Sequence, residues 1–378
     1  MVDGSVGERY GYDTRKVSSE QVFSMSGLVK VGVVGCGSWS THAHLPALAA
    51  EPRARLVAVV DPDPDARNDA SKRFAVPRAF ASVAEMLAAV ELDAAVVGAP
   101  HAAHAAAALP LLKAGVHVLI EKPMVLDPTD GRALLRAAHD HGVELLVGYT
   151  WHYNRQVAAV RELILEGRIG QMEFLSCLFG SSVREYYKGN TDAHPELGYV
   201  RAPGSTTYSD PAIAGGGQGQ AQLTHAAALL LHLTGLRPLM VAATCESFDL
   251  PVDLADALIA RFDNGSIGTI GSTGGVLAGH PDILEYRLFG SKGHIAFDVM
   301  RGVATIHGAN GAVEALPELP LADRYPESAP VHNLIAVAAD GAENLSPGDL
   351  GQVVVELLTA MYRSSEAGGQ PVELATIK

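Results

Sequence analysis

Val29-Lys30-Val31-Gly32-Val33-Val34-Gly35-Cys36-Gly37-Ser38-Trp39-Ser40 decides the architecture of this chain. A short β-branched run ends in two glycines and passes directly into a segment of helical composition. A strand feeding a glycine turn at a helix N-terminus is a cradle for a dinucleotide pyrophosphate. Gly35 permits the tight turn and Gly37 lets the backbone approach the phosphates, with Ser38 and Trp39 completing the loop. Ser40 stands where a third glycine is usual, and its small side chain still permits close helix–strand packing. Asp61 ends the next apolar run, about 20 residues on, where a carboxylate accepts bonds from the adenosine ribose hydroxyls and repels a 2′-phosphate. No basic residue lies between Asp61 and Arg67, so the expected cofactor is NAD, with NADP disfavoured.

Working outward, the near-continuous apolar runs Val29–Val34, Leu56–Val60, Ala94–Gly98, His117–Ile120 and Glu144–Val147 read as strands buried on both faces. Ala-rich helical segments at Ala66–Phe74, Val83–Val90, Ala102–Ala114 and Thr129–His141 alternate with them. Gly115 and Gly142 sit where C-cap glycines belong, and Pro46 should bend or split the first helix. This βαβ rhythm predicts an α/β Rossmann domain over 29–149.

The rhythm then changes. A helix over Gln156–Glu166 leads into alternating segments at Met172–Ser181, Leu239–Phe248, Ala257–Phe262, Ile267–Ser272 and Leu284–Phe289. They predict an α+β domain over 150–378 with an open, largely antiparallel sheet, which supplies the substrate pocket. Ser346-Pro347-Gly348-Asp349 reads as a helix start with Ser346 as N-cap, followed by the apolar face Leu350, Val353, Val354, Leu357, Leu358, Met361. Residues 1–28, polar and without an apolar core, read as a disordered tail or as the product of a start codon upstream of Met25.

Composition narrows the function. The formal net charge of −14 disfavours nucleic-acid or anionic-membrane partners, and no uncharged run nears the ~18 residues of a membrane span. Three scattered cysteines without CxxC spacing suit a reducing compartment, hence the cytoplasm. His42, His44, His101 and His104 lack cysteine and carboxylate partners at ligand spacing, so no metal is expected.

Lys122, in Glu121-Lys122-Pro123 at the end of the fourth long apolar run, emerges on the same sheet edge as the glycine loop. Strand alternation sends Glu121 to the opposite face. On physics alone such a lysine is more often a solvated charge than a catalyst.

The chain resembles the Gfo/Idh/MocA family of oxidoreductases. Val31–Leu48, Pro100 to His104, Ala114–Pro123, Gly215-Gly216-Gly217 with His225 downstream, and Pro371-Val372-Glu373-Leu374 carry the resemblance. It implies that Lys122 is catalytic, that hydride passes at a secondary alcohol or its ketone on a sugar or cyclitol, and that the open sheet serves homo-oligomerisation to a dimer or tetramer. Family members often carry an aspartate four residues before the histidine; here that position is Ala221. On a helix over Gly219–Thr234, Gln222 shares a face with His225 and offers a polar neighbour, but an amide cannot take up a proton. An imidazole is the natural base near neutral pH, and without a carboxylate the His225 pKa is expected at or below about 6.5.

Pro100, His101, His104 and Glu121 are expected to line the cofactor crevice. Trp151, His152 and Tyr208, with Lys122, Gln222 and His225, are expected around a polyhydroxylated ring. The polar stretch Arg184–Ala214 is too long for a connector and is the expected source of specificity. Three functions fit: a dehydrogenase or ketoreductase, a glycoside hydrolase using NAD⁺ in transient oxidation, and a dinucleotide-binding regulator without chemistry.

Overall fold

The computed structural model describes residues 27–192, 199 and 201–377. The tail expected over 1–28 therefore lies almost wholly outside the described residues.

Six parallel strands form the first sheet: β1 (Val29–Val34), β2 (Ala54–Val60), β3 (Ala79–Phe80), β4 (Ala94–Val97), β5 (His117–Ile120) and β6 (Leu145–Val147). Their order, β3-β2-β1-β4-β5-β6, is that of a dinucleotide-binding doubly wound sheet. β3 is the one strand absent from the sequence reading; with two residues it carries no periodicity. One face is covered by α3 (Val83–Ala89), α4 (His104–Lys113) and α5 (Pro128–His141), the other by α1 (Leu45–Ala50) and α2 (Pro64–Arg73). Pro46 disturbs the first helix without splitting it: a π-helical turn over Ser40–His44 runs straight into α1, with His44 and Leu45 both helical at the junction.

The second face is completed from far along the chain. In α8 (Ala329–Asp340), Val331, Leu334, Ile335 and Val337 are buried in one cluster with Val31, Val33, Leu45, Val96 and Leu119. A sheet buried on both faces needs helices on both, and α1 and α2 alone leave β4–β6 bare on that side. Residues 329–340, which the sequence reading assigns to the substrate domain, thus belong to the core of the nucleotide domain.

The second sheet has nine strands, ordered β14-β13-β12-β11-β7-β10-β9-β8-β15. They are β7 (Met172–Gly180), β8 (Pro238–Glu246), β9 (Ala255–Phe262), β10 (Ile267–Thr273), β11 (Ile283–Gly290), β12 (Gly293–Asp298), β13 (Val303–His307), β14 (Val313–Leu316) and β15 (Val372–Glu373). All pairings are antiparallel except β7 with β10. Its inner face packs on α6 (Arg155–Leu165), α7 (Thr224–Thr234) and α9 (Gly348–Glu366). In α7 the side chains of Leu229, Leu230 and Leu233 are fully buried, each contributing roughly 2 kcal/mol by burial. The last helix begins differently from expectation. Pro347, not Ser346, holds the N-cap position, because the Ser346 carbonyl is taken by the Val147 amide at 2.8 Å and Pro347 bridges to Leu146.

Candidate active site

The glycine loop meets two demands at once. Gly35 has φ +90°, and a Cβ there would collide with the Gly98 carbonyl and Ala99 amide at the end of β4. Above Gly37 there is open space, the approach a pyrophosphate needs. Ser40 is buried, and its hydroxyl occupies the room left by the missing Cβ of Gly98, so the usual third glycine has moved its function to the neighbouring strand. Asp61 is fixed at the end of β2: Oδ2 accepts from the Cys36 amide at 2.8 Å and Oδ1 from the Asp63 amide at 2.9 Å. Each carboxylate oxygen retains acceptor capacity for a ribose hydroxyl. These features fit a bound NAD.

Glu121 ends β5 as a brace. Its Oε1 accepts from Trp39 Nε1 at 3.0 Å and contacts His44 Nε2 at 2.9 Å, while Oε2 accepts from the Lys122 amide at 3.2 Å. Gly148 leaves space for the carboxylate. Burial alone would raise its pKa, but the hydrogen bond and charge of His44, with the charge of Lys122, outweigh it and hold the carboxyl below its usual range. Glu121 and the Trp39 indole thus tie the first helix to β5. His44, set aside in the sequence for want of a metal partner, is the third member of this brace.

Lys122 turns away from Glu121, as strand alternation predicts, and donates from Nζ to the Ala221 carbonyl oxygen at 2.9 Å. That carbonyl lies in a second π-helical turn, Gly219–Leu223, which leads into α7. Local π geometry recurs at functional sites and shifts side chains around the helix axis. The simple helix expected over 219–234 is therefore wrong in its first turn, and the Gln222–His225 pairing fails with it. No partner among the described residues reaches His225 Nδ1, which is buried. The ring lies edge-on to Trp151 (centroids 5.2 Å apart) and Tyr149 (6.1 Å). Burial lowers the Lys122 pKa against the opposing charge of Glu121. Burial, then the charge of Lys122, pushes His225 well below the ordinary imidazole value.

The other expected residues separate into lining and bracing. His101 bonds through Nδ1 to the Ala214 carbonyl at 3.0 Å and meets Tyr208 edge-on, so it joins the excursion 184–214 to the nucleotide domain. Pro100, exposed, precedes it at the crevice rim. His104 is fully buried, with Nδ1 2.9 Å from the Pro123 carbonyl and Nε2 2.8 Å from that of Ala99. It holds the loop behind Lys122 and does not line the crevice. His152 is also buried, stacked on His232 at 4.2 Å, two turns along α7 from His225. That places it in the packing behind the site, apart from Trp151. Tyr325 escaped the sequence reading; it contacts Trp151 (4.9 Å) and Trp39 (6.4 Å), spanning the two domains. Its neighbours in sequence are prolines and charges without periodicity, so no local signal marks it. Among the described residues no three His, Cys, Asp or Glu side chains are grouped to hold a metal.

A parallel dinucleotide sheet with Lys122 at its carboxyl edge, bonded to the turn that leads into His225, fits a nicotinamide-dependent oxidoreductase. The comparisons agree. Residues 29–149 match the GFO_IDH_MocA model, an oxidoreductase family with an NAD-binding Rossmann fold, and 157–296 match the GFO/IDH/MocA C-terminal domain. The chain belongs to the Gfo/Idh/MocA oxidoreductase family. It is 27% identical over 349 residues to inositol 2-dehydrogenase of Rhizobium meliloti (strain 1021), covering 89% of this chain and 96% of that one. Among solved structures it is similar to GenD2 from gentamicin A biosynthesis in complex with NAD, with TM-score 0.74, 26% identity, and 93% and 97% of the two chains covered. Levoglucosan dehydrogenase, with NADH and levoglucosan, shares the fold (TM-score 0.78, 18% identity, coverage 92% and 100%).

Proposed function

We propose that this enzyme transfers hydride between NAD and a secondary alcohol or ketone carbon of a small sugar or cyclitol. The observation that carries this reading is the meeting of Lys122 with the π turn that leads into His225, at the carboxyl edge of the nucleotide sheet. Bound NAD⁺ would supply the hydride acceptor. In the oxidation direction His225 accepts the hydroxyl proton, and the Lys122 ammonium hydrogen-bonds the oxygen as its charge develops. An ammonium in a water-poor cleft is weakly screened and stabilises that oxygen most in the transition state. Trp151, Tyr325 and Tyr208 supply flat faces and hydroxyls suited to a polyhydroxylated ring. The names of the relatives, an inositol and a levoglucosan dehydrogenase, support this substrate class.

The test is a panel of inositols, aldoses and anhydrosugars assayed for NAD⁺ reduction by nicotinamide absorbance, with aryl glycosides in parallel. Reduction of NAD⁺ by a polyol is expected. Glycoside cleavage without net nicotinamide change would replace the reading with the hydrolase, and silence in both arms despite tight NADH binding would favour the regulator.

We place the enzyme in the cytoplasm as a homo-oligomer. Among the described residues no helix is long and apolar enough to cross a membrane, and Cys36 and Cys177 are buried free thiols. The outer face of the nine-stranded sheet exposes Phe174, Leu178, Ile259 and Ile267, a surface that a second copy would cover.

A further inference from the structure

Gly217, at the start of the π turn, owes its place to a residue 36 positions downstream. Asp253, between β8 and β9 and only 7% exposed, receives the Gly217 amide on Oδ1 and the Gly219 amide on Oδ2, both at 2.7 Å. The Tyr362 hydroxyl donates to the same Oδ1 at 3.0 Å, and the Asp253 main-chain oxygen accepts from the Gln218 amide at 2.9 Å. A Cβ at Gly216 or Gly219 would strike the Tyr362 hydroxyl, and one at Gly217 would strike the Asp253 carbonyl. Glycine is required because Asp253 and Tyr362 close on this backbone.

From there the connection to the chemistry is short. The Ala221 amide donates to the Gly217 carbonyl at 2.9 Å, and the Ala221 carbonyl receives Lys122 Nζ at 2.9 Å. We propose that Asp253 is a positioning residue for Lys122: its carboxylate fixes the start of the π turn, and the turn presents the Ala221 carbonyl to the ammonium. Lys122 belongs to the nucleotide domain and Asp253 to the substrate domain, so the same chain of hydrogen bonds sets the register of the two across the cleft. It also explains how this chain works with alanine at position 221. A backbone carbonyl held from behind by a buried carboxylate supplies the acceptor for Lys122. The inference rests on Lys122 being the catalytic cation.

A carboxylate is needed at 253 because two amides point at its two oxygens. An asparagine would set an N–H₂ donor against one of them. Asp256, nearby, provides the control: the amides of the glycine turn and the Tyr362 hydroxyl go to Asp253 and not to it, and burial, then the charge of Asp253, pushes its pKa well above the carboxylate range.

The experiment follows the Lys122 side-chain resonance in ¹³C-lysine-labelled full-length protein, assigned by its loss in Lys122→Met, through a pH titration. A hydrogen bond to the ammonium favours the charged form. Asp253→Asn is therefore expected to lower the Lys122 apparent pKa by about half a unit or more, the effect of a weakened hydrogen bond. It should also lower kcat about tenfold or more with KM for NAD⁺ nearly unchanged. Asp256→Asn should change neither. An unmoved Lys122 titration and intact kcat in Asp253→Asn, with only a lower Tm, would overturn the proposal and leave Asp253 a core residue. If Asp253→Asn does not fold, Tyr362→Phe, which removes one donor and keeps the carboxylate, must move Lys122 the same way by less; an unmoved resonance there overturns the proposal equally. Full turnover in Lys122→Met would instead sink the functional reading, a result separate from the titration.

Discussion

Lys122 and Ala221 stand 99 residues apart in sequence and in different domains, yet Nζ of one is 2.9 Å from the carbonyl oxygen of the other. The acceptor is a neutral carbonyl, and burial lowers the Lys122 pKa against the opposing charge of Glu121. Lys122→Met, close in size and without charge, should cut turnover by about 100-fold or more, the usual range for losing a positioned proton-handling or charge-stabilising group. NADH affinity, read by fluorescence titration, should stay within about threefold.

Ala221→Asp tests the same site from the other side. A carboxylate beside Lys122 and His225 favours the protonated form of both, so the acidic limb of the kcat/KM profile, set by His225 as the base, and the basic limb, set by the Lys122 ammonium, should both move to higher pH. An unmoved acidic limb would remove His225, and an unmoved basic limb Lys122, from the titration that governs the rate.

Asp61→Ser probes cofactor choice. The wild-type carboxylate is held by the Cys36 and Asp63 amides, which leaves a fixed negative charge for any 2′-phosphate to meet. Relieving that clash should narrow the NAD-over-NADP preference about tenfold, equivalent to roughly 1.4 kcal/mol. NADH itself should also bind less tightly, because the glycine loop loses its tie to β2. Tighter NADP than NAD binding in the wild type would contradict the role given to Asp61.

The nucleotide domain was the most legible part of the chain. Strands buried on both faces must be apolar throughout, and β1, β4 and β5 are written that way. In the second sheet, β12 to β15 are short, glycine-flanked or at edges, where propensity has little to act on. The place of Lys122 at a strand end and of His225 on a helix was legible from fixed periods, whereas the roles proposed for them came from the family resemblance. The π turns at Ser40–His44 and Gly219–Leu223 were not legible, since a changed hydrogen-bond register needs no change of composition. The same limit hid the Ala221 carbonyl, a functional group that every residue possesses. Packing of α8 on the nucleotide sheet and of Tyr325 between the two tryptophans is set by tertiary contact alone.

Buried histidines should make stability sensitive to mild acid. Burial lowers the pKa values of His101, His104, His152, His225 and His232, with His101 pushed down to about 3. Below the ordinary value near 6.5 the unfolded chain binds protons that the folded chain refuses, so stability falls as pH falls. At pH 5 a histidine such as His101 costs about 2 kcal/mol relative to neutral pH, from roughly 1.5 pH units of unfolded-state protonation. Tm measured by calorimetry should drop steadily from pH 7 to pH 5. His152→Phe, which keeps a ring against His232, should flatten that slope; an unchanged slope would show that His152 is protonated in the fold.

The outer face of the second sheet carries a row that runs straight across six strands. In register, Ile267 on β10 neighbours Phe174 on β7, Phe174 neighbours Phe289 on β11, and the row continues through His294 on β12 and His307 on β13 to Val313 on β14. Phe289 stacks on His294 at 5.4 Å and His294 on His307 at 4.4 Å, so the rings form a continuous ladder. Phe174, Ile267 and Phe289 are 37%, 49% and 39% exposed, too apolar a strip to leave in water on an otherwise acidic protein. A second sheet laid on this face would bury them at about 25 cal/mol per Å² of apolar surface, and a stable dimer needs roughly 800 Å² from each partner. A glutamate at the centre of the strip would have to be desolvated in that interface without a cation opposite it. Phe174→Glu should therefore raise the dissociation constant by about 100-fold or more while leaving the monomer folded, because the side chain points away from the core. Sedimentation velocity across a dilution series should show an oligomer for the wild type and a monomer for the variant at micromolar concentration. A wild type that sediments as a monomer, or a variant that still assembles, would assign the face to another partner or the interface to another surface.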